Sequence, residues 1–394
     1  MRILTVQHHL GLMLMLFSLA LLPPEAVAWI YGDIGEGPFL AAFLTVLAVG
    51  AALWFPARQV EPSFRAREAL LVAVGSWILL TLGSAVPFML STDPHMAPTD
   101  AVFEAASGLT TTGATVLRDI DHLPPSILFY RQELQWLGGM GIVVLAVAVL
   151  PALKIGGMQL YLAEMPGPLK EERLLPRITQ TAKVLWIIYG ALTLACTTAF
   201  WLAGMSLFDA IGHAFATLST GGFSTHDRSL AWFESSLIEA IAVLFMALGG
   251  INFALHFTVW RRRSPLSYWR DAEVRTYLLV LIGISLFCGI YLYATSYSVD
   301  PWSGLRLGIF HSVSFTTTTG FATSDVTAWP GMLPLLLISA SFVGGCGGST
   351  GGGMKVMRTA LLFKQGLNGI NRHIHRKAVL PLRFGRHVVP PTIL

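Results

Sequence analysis

The 394-residue sequence predicts an all-α polytopic membrane protein, and three observations carry that reading. Hydrophobic residues make up 54% of the chain and charged residues only 12%, so apolar runs of the ~20 residues that a bilayer requires recur along it. Lys and Arg gather in alternate loops between those runs, whereas the opposite loops carry Asp. A Thr/Gly phrase then returns three times, each after an apolar piece too short to span.

Eight spans can be drawn, near 10–29, 39–55, 66–90, 125–150, 178–204, 237–260, 274–295 and 333–363. The first run exceeds a signal-peptide core and lacks a small-residue cleavage site before a soluble domain, so it reads as a retained helix. Cations such as Arg58, Arg65, Lys154, Lys170, Arg261, Arg262 and Arg358 fall on one side, and Asp33, Asp100, Asp209, Asp227 and Asp325 on the other. That bias predicts both termini in the cytoplasm. The pI of about 9.0 is therefore a topology signal. With no soluble basic domain carrying interleaved aromatics, membrane lipid and not nucleic acid is the expected partner. Cys196, Cys288 and Cys346 all lie in apolar runs and offer neither a disulfide framework nor metal-ligand spacing.

The repeat is LTTTGATV from Leu109, LSTGGFST from Leu218 and TTTTGFATS from Thr316. Its glycines, Gly113, Gly222 and Gly320, are 109 and 98 residues apart, and Asp119, Asp227 and Asp325 follow them. The pieces 101–109, 210–218 and 307–315 fit re-entrant half-helices. Non-helical backbone at membrane depth is tolerated only in protein or beside a wet cavity, so each turn should face a pore. Glycine backbone there lets carbonyls point inward and replace a cation's water shell, and threonine hydroxyls add oxygens. Neutral oxygens suit a monovalent cation better than a hard divalent one. A single TTTG is an ordinary polar turn; three in register make a filter the better reading.

The phrases LTTTGAT, STGGFSTHD, TTTTGFATSD, AEMPGPLK from Ala163 and SFVGGCGGSTGGGMKVMR from Ser341 resemble the TrkH potassium-uptake subunits of the Trk/Ktr/HKT cation transporter superfamily. The resemblance implies helix–pore-loop–helix units around one pseudo-fourfold, potassium-channel-like pore, after two extra N-terminal helices. It implies filter residues Thr111, Thr112, Gly113, Thr220, Gly221, Gly222, Thr318, Thr319 and Gly320. In plant relatives a serine for the first filter glycine goes with sodium transport, so Gly113 favours potassium. The divisions expected are an N-terminal helix pair (1–60), pore repeats at 61–155, 156–265 and 266–363, and a basic cytoplasmic segment (364–394). A homodimer in the bacterial inner membrane, docked on a cytosolic nucleotide-binding TrkA-type ring, is implied too. No covalent chemistry, enzyme activity or cofactor is expected, and potassium is the transported ion.

A second STGG lies in GGCGGSTGGGMK. Gly351 follows Gly320 by 31 residues, too few at ~1.5 Å each for two further spans and a half-helix, so it is not a filter. Gly344, Gly345, Gly347, Gly348, Gly351, Gly352 and Gly353 instead break the span 333–363, and the resemblance implies an intramembrane gate loop. A phosphate-binding loop is excluded because Lys355 follows methionine and not glycine. Gly138 with Gly139, and Gly249 with Gly250, read as helix-packing glycines. Glu104, His213 and His311, each nine residues before a filter glycine, read as hydrogen-bonding residues on the hidden faces of the half-helices rather than a metal site; Arg131 and Glu133 read as local contacts near an outer helix end. After residue 363 the sequence is polar and basic, so a fourth pore repeat has no counterpart. This leaves an alternative to uptake: a non-conducting remnant or interaction subunit.

Overall fold

The computed structural model describes residues 3–32, 38–59, 66–141, 178–374, 383–384 and 387–388. The cytoplasmic phrase from Ala163, the inner end of the expected fourth span and most of the basic tail lie outside these residues. The described chain forms two compact units, the first ending at Phe233 and the second beginning at Glu234.

In the first unit, α1 (Ile3–Ser18) continues through a 3-10 turn into α2 (Leu22–Tyr31), followed by α3 (Pro38–Trp54), α4 (Ala66–Leu90), α5 (Pro98–Leu109), α6 (Pro125–Gly139), α7 (Ile178–Leu202) and α8 (Leu207–Leu218). Proline opens α5 and α6, where its missing N–H costs nothing. Ser206 caps α8 by accepting from Asp209 N–H. Helix α1 packs on α3 and α4, and α6 receives both short helices, α5 and α8. Close approach of α1 to α3 rests on small residues: a Cβ on Gly11 would lie 2.7 Å from Gly50 O.

The second unit holds α9 (Ser236–Gly249), α10 (Phe253–Arg262), α11 (Leu266–Arg270), α12 (Ala272–Ala294), α13 (Pro301–Thr316), α14 (Leu333–Val343) and α15 (Val356–Ile374). A two-residue hairpin, β1 (Arg383–Phe384) against β2 (His387–Val388), is an addition to the all-α architecture expected. Helix α12 packs along α13, which also meets α9 and α14.

Among the described residues five helical stretches are long and apolar enough to cross a membrane: Ile3–Tyr31, Pro38–Ala57, Leu70–Leu90, Lys183–Leu202 and Ala272–Ala294. The span expected at 237–260 differs: α9 and α10 meet at a bend of 97°. Gly249 and Gly250 lower helix propensity at that point, and Asn252 restarts the chain by capping α10 through Ala254 N–H. The span expected at 333–363 is broken at the glycine-rich segment, as its composition required. The third short helix, α13, extends to 16 residues because Asp300 caps it well before the expected start, accepting from Ser303 N–H at 2.9 Å.

Glycines also set the approach of α12 to α13. A Cβ on Gly308 would lie 2.6 Å from Gly289 N, whereas one on Gly190 in α7 meets nothing within 4 Å. Gly308→Ala is expected to destabilise the protein by about 1–3 kcal/mol through overpacking against backbone. Gly190→Ala should be neutral or stabilising. Thermal unfolding in detergent distinguishes them, and equal midpoints would contradict this account.

Candidate functional site

Each Thr/Gly turn is the continuation of a short helix, and all three end in the same way. In the first, Thr111 N–H reaches Gly108 O (3.0 Å) and Thr112 N–H reaches Ser107 O (2.8 Å). In the second, Thr220 N–H bonds Thr217 O (3.2 Å) and Gly221 N–H bonds Ala216 O (2.9 Å). In the third, Thr318 N–H bonds Phe315 O (3.0 Å) and Thr319 N–H bonds Ser314 O (2.8 Å). This pairing is a Schellman termination, which places one residue in the left-handed region, usually glycine. Here that residue is threonine: Thr111, Thr220 and Thr318 have φ of 55°, 52° and 61°. Two residues on, Gly113, Gly222 and Gly320 have φ of 77°, 79° and 85°, while Thr112, Gly221 and Thr319 between them do not turn positive. This alternation of backbone hand departs from an extended strand, in which successive carbonyls point to opposite sides. The left-handed threonines cost about 1–2 kcal/mol each, a strain tolerated where surrounding structure fixes the conformation.

What fixes it is a buried polar group one turn and a half back on each short helix. Glu104 accepts from Thr115 Oγ1 (2.9 Å) and Val116 N–H (3.2 Å). His213 meets Asp209 O through Nδ1 (2.8 Å) and Ser224 Oγ through Nε2 (2.9 Å). His311 meets Leu307 O (3.1 Å) and accepts from Thr323 N–H (3.4 Å). Each therefore ties the short helix to the chain leaving the turn, as their hidden position suggested. The three side chains are 0% exposed.

The glycine-rich segment is folded against the other elements of its unit. Gly347 N–H donates to Glu273 Oε1 (2.7 Å), Cys346 N–H to Gly250 O (2.8 Å) and Thr350 Oγ1 to Gly249 O (3.0 Å). Gly352 N–H donates to Thr318 Oγ1 (2.7 Å), which puts the segment in direct contact with the third turn. Lys355 closes it by donating to Gly351 O. A side chain at Gly344 has no room, because its Cβ would collide with Gly352 O.

The family model described as TrkH, cation transport protein, matches residues 37–394. This chain belongs to the TrkH family. It is 48% identical over 384 residues to the Trk system potassium uptake protein TrkH of Halomonas elongata, which covers 98% of this chain and 80% of that protein. The same name, identity and coverages apply to the Escherichia coli K12 relative. Its TrkG is 39% identical, covering 99% and 80%. A crystal structure of the potassium transporter TrkH from Vibrio parahaemolyticus superposes with a TM-score of 0.89 at 43% identity, covering 100% of this chain and 81% of that one. Members of this family are transporters and not enzymes, and this TrkH family member is a multi-pass membrane protein. These matches do not support the expectation of a missing fourth repeat, and they favour uptake over a non-conducting remnant.

Two expectations change on the TrkH fold. Arg131 is not a local contact: it is 1% exposed, with Nε on Glu104 Oε1 (2.8 Å), further donors on Thr115 Oγ1 (3.2 Å) and Ser224 O (3.3 Å), and its guanidinium over the Phe223 ring. It links the chain after the first turn to the chain after the second, and Glu133 is buried beside it. Nor are the glycine pairs merely packing residues. A Cβ on Gly138 would meet Leu109 O, one on Gly139 would lie 2.6 Å from Ser219 Cβ, and one on Gly250 would lie 3.3 Å from Thr317 Cγ2. Gly138 and Gly139 clear space at the feet of the first two turns, and Gly250 clears it for Tyr277 as well as for the foot of the third.

Sequence reasoning also missed Gln132 and Gln135, which share the buried face of α6 with Arg131. Gln135 donates to Gly221 O (2.7 Å) and accepts from Phe223 N–H (3.0 Å). Gln132, with its amide oriented to satisfy its neighbours, donates to Gly212 O (2.8 Å) and Phe223 O (3.1 Å). Their signal was present: polar residues at i, i+1 and i+4 within an apolar span.

Outside the turns, His226 joins the loops after the first two. Its Nδ1 lies 2.6 Å from Asp121 Oδ1 and its Nε2 3.5 Å from Asp209 Oδ1, and its ring stacks on Trp232 at 4.4 Å. Burial opposes charge on the imidazole, but the hydrogen bonds and charges of Asp209 and Asp121 outweigh it and hold His226 above its ordinary value. Burial likewise pushes Asp121 up, and its bonds to His226 and Asp227 more than reverse that. A raised histidine stabilises the fold fully below its unfolded value of about 6.5, and that contribution is lost as pH rises through the folded value. Thermal stability of the protein is therefore expected to fall over that window, and His226→Gln should flatten the profile there. An unchanged slope in the variant would remove His226 from the linkage.

Proposed function

We propose that this chain is a potassium uptake subunit in which each Thr/Gly turn supplies oxygens of a selectivity filter. The observation that carries the reading is the shared alternation of backbone hand in the three turns, on three helices ending at those turns. A helix C-terminus carries partial negative charge, which favours a cation without offering a carboxylate that would hold a divalent ion too tightly. The filter residues are Thr111, Thr112 and Gly113, then Thr220, Gly221 and Gly222, then Thr318, Thr319 and Gly320. Among them the Gly221 oxygen already accepts from Gln135, so the second turn leans on its neighbours for ion contacts.

Gly344, Gly345, Gly347, Gly348, Gly351, Gly352 and Gly353 form the gate. Their contact with Thr318 supports this, since an obstruction must sit beside the path it blocks. The repeats run 61–155, 156–265 and 266–363, after a helix pair at 1–60 and before the basic segment at 364–394. The TrkH-named relatives belong to the Trk system, and the implied homodimer and cytosolic nucleotide-binding ring of TrkA type fit the exposed cations Arg261, Arg262, Arg263, Arg270, Arg358 and Lys364. Their clustering supports an inner-membrane topology with both termini on the cytoplasmic side.

Gly113→Ser is expected to shift preference from potassium toward sodium, whereas Gly190→Ser, in open space, should leave it unchanged. Rubidium and sodium uptake in cells lacking other potassium uptake reads the ratio; equal ratios would remove Gly113 from the filter. Deleting Gly351, Gly352 and Gly353 should raise basal potassium flux at matched membrane abundance. Flux unchanged or lost in the folded deletion would refute the obstruction.

A further inference from the structure

The three turns are alike in backbone and unlike in one side chain. The residue before the filter glycine is Thr112 in the first and Thr319 in the third, but Gly221 in the second. Where threonine is present its hydroxyl pairs with the threonine two positions earlier, Thr112 with Thr110 (2.8 Å) and Thr319 with Thr317 (2.7 Å). The second turn has Ser219 there, whose hydroxyl instead donates to Ala216 O (3.2 Å). That turn lacks the side-chain bridge of the other two.

Its place is taken from outside the turn. Gln135, 0% exposed on α6, donates Nε2–H to Gly221 O (2.7 Å) and accepts from Phe223 N–H at Oε1 (3.0 Å), so one amide grips the backbone on both sides of Gly222. A Cβ on Gly221 would collide with Gln135 Cδ. Glycine at 221 and glutamine at 135 are thus a single choice. Gln135 stands four residues before Gly139, and the residue four before Gly250 in the next unit is Met246. There the sequence pairs methionine with Thr319, an apolar side chain with a turn that supplies its own hydroxyl.

We propose that Gln135 is a specificity-determining positioning residue: its amide sets the peptide planes flanking Gly222 and so the cation preference of the second turn. This rests on the reading of the Thr/Gly turns as a filter. Peptide planes held by an amide cannot close around a smaller cation, whereas planes released by its loss can, and the preference for potassium over sodium falls.

The test is the rubidium-to-sodium uptake ratio, at matched membrane abundance, in Gln135→Glu, Gln135→Met, Gly221→Thr, the double variant Gln135→Met with Gly221→Thr, and Gly222→Ser. Gln135→Glu keeps the volume but loses the amide donor. Both single substitutions of Gln135 should lower the ratio about two- to tenfold, the span of one ordinary hydrogen bond. Gly221→Thr alone meets the glutamine and should lose flux. The double variant, which recreates the pairing of Met246 with Thr319, should recover ratio and flux beyond what the two single effects predict if independent. If Gly222→Ser shifts the ratio and the Gln135 variants do not, the positioning role falls and the filter stands. If none shifts it, the filter reading falls and takes this proposal with it. If the double variant shows only the sum of its singles, residues 135 and 221 are not coupled and the proposal is overturned.

Discussion

The structure depends on one constraint: the irregular backbone of the Thr/Gly turns has to find hydrogen-bond partners beyond the regular ladder of a helix. An unpaired peptide group in an apolar medium costs several kcal/mol, more than the strain of a left-handed threonine. Each turn is accordingly closed by the Schellman bonds of its helix and tied by Glu104, His213 or His311 to the chain that leaves it. Removing one member of the Glu104–Arg131 pair would leave a charge uncompensated in the interior, a loss of about 3–5 kcal/mol, so this part of the molecule is held by partners that need one another.

Helix α6 is where these demands accumulate. Its glycines at 138 and 139 clear the feet of two turns, and its Arg131, Gln132 and Gln135 supply the donors and acceptors that the second turn cannot find in its own helix. A short helix and its turn therefore lean on a helix that precedes them in the chain, and the compact units divide at residue 233, inside the stretch 156–265 that the repeat pattern assigns to one segment. Repetition in sequence and cohesion in space follow different lines.

Much of this was legible in the sequence for a physical reason. Glycine and threonine at fixed offsets, apolar pieces too short to span, and charges sorted by side are local signals, and a threefold recurrence multiplies their weight. The short helices at 98–109 and 207–218 lie within three residues of where the pattern put them. The bend of α9 on α10 was not legible, because a Gly pair in an apolar run reads equally as a packing notch, and only the Asn252 cap decides between them. Arg131 was misplaced for a related reason: a charge near a helix end suggests solvent, and its partners lie 27 and 93 residues away. Gln135 could have been found by asking why the second turn alone lacks a threonine before its glycine.

The bend and the glycine-rich segment are stitched together. Carbonyls freed where the helix breaks, Gly249 O and Gly250 O, are accepted partners of Thr350 and Cys346, and Gly348 O in turn takes the first N–H of α10, from Phe253. Withdrawal of the segment would strip all of them at once. Only water can take over so many groups together. On the proposed reading of the segment as a gate, opening is thus a wetting transition, in which hydration of these groups accompanies the withdrawal that clears the path.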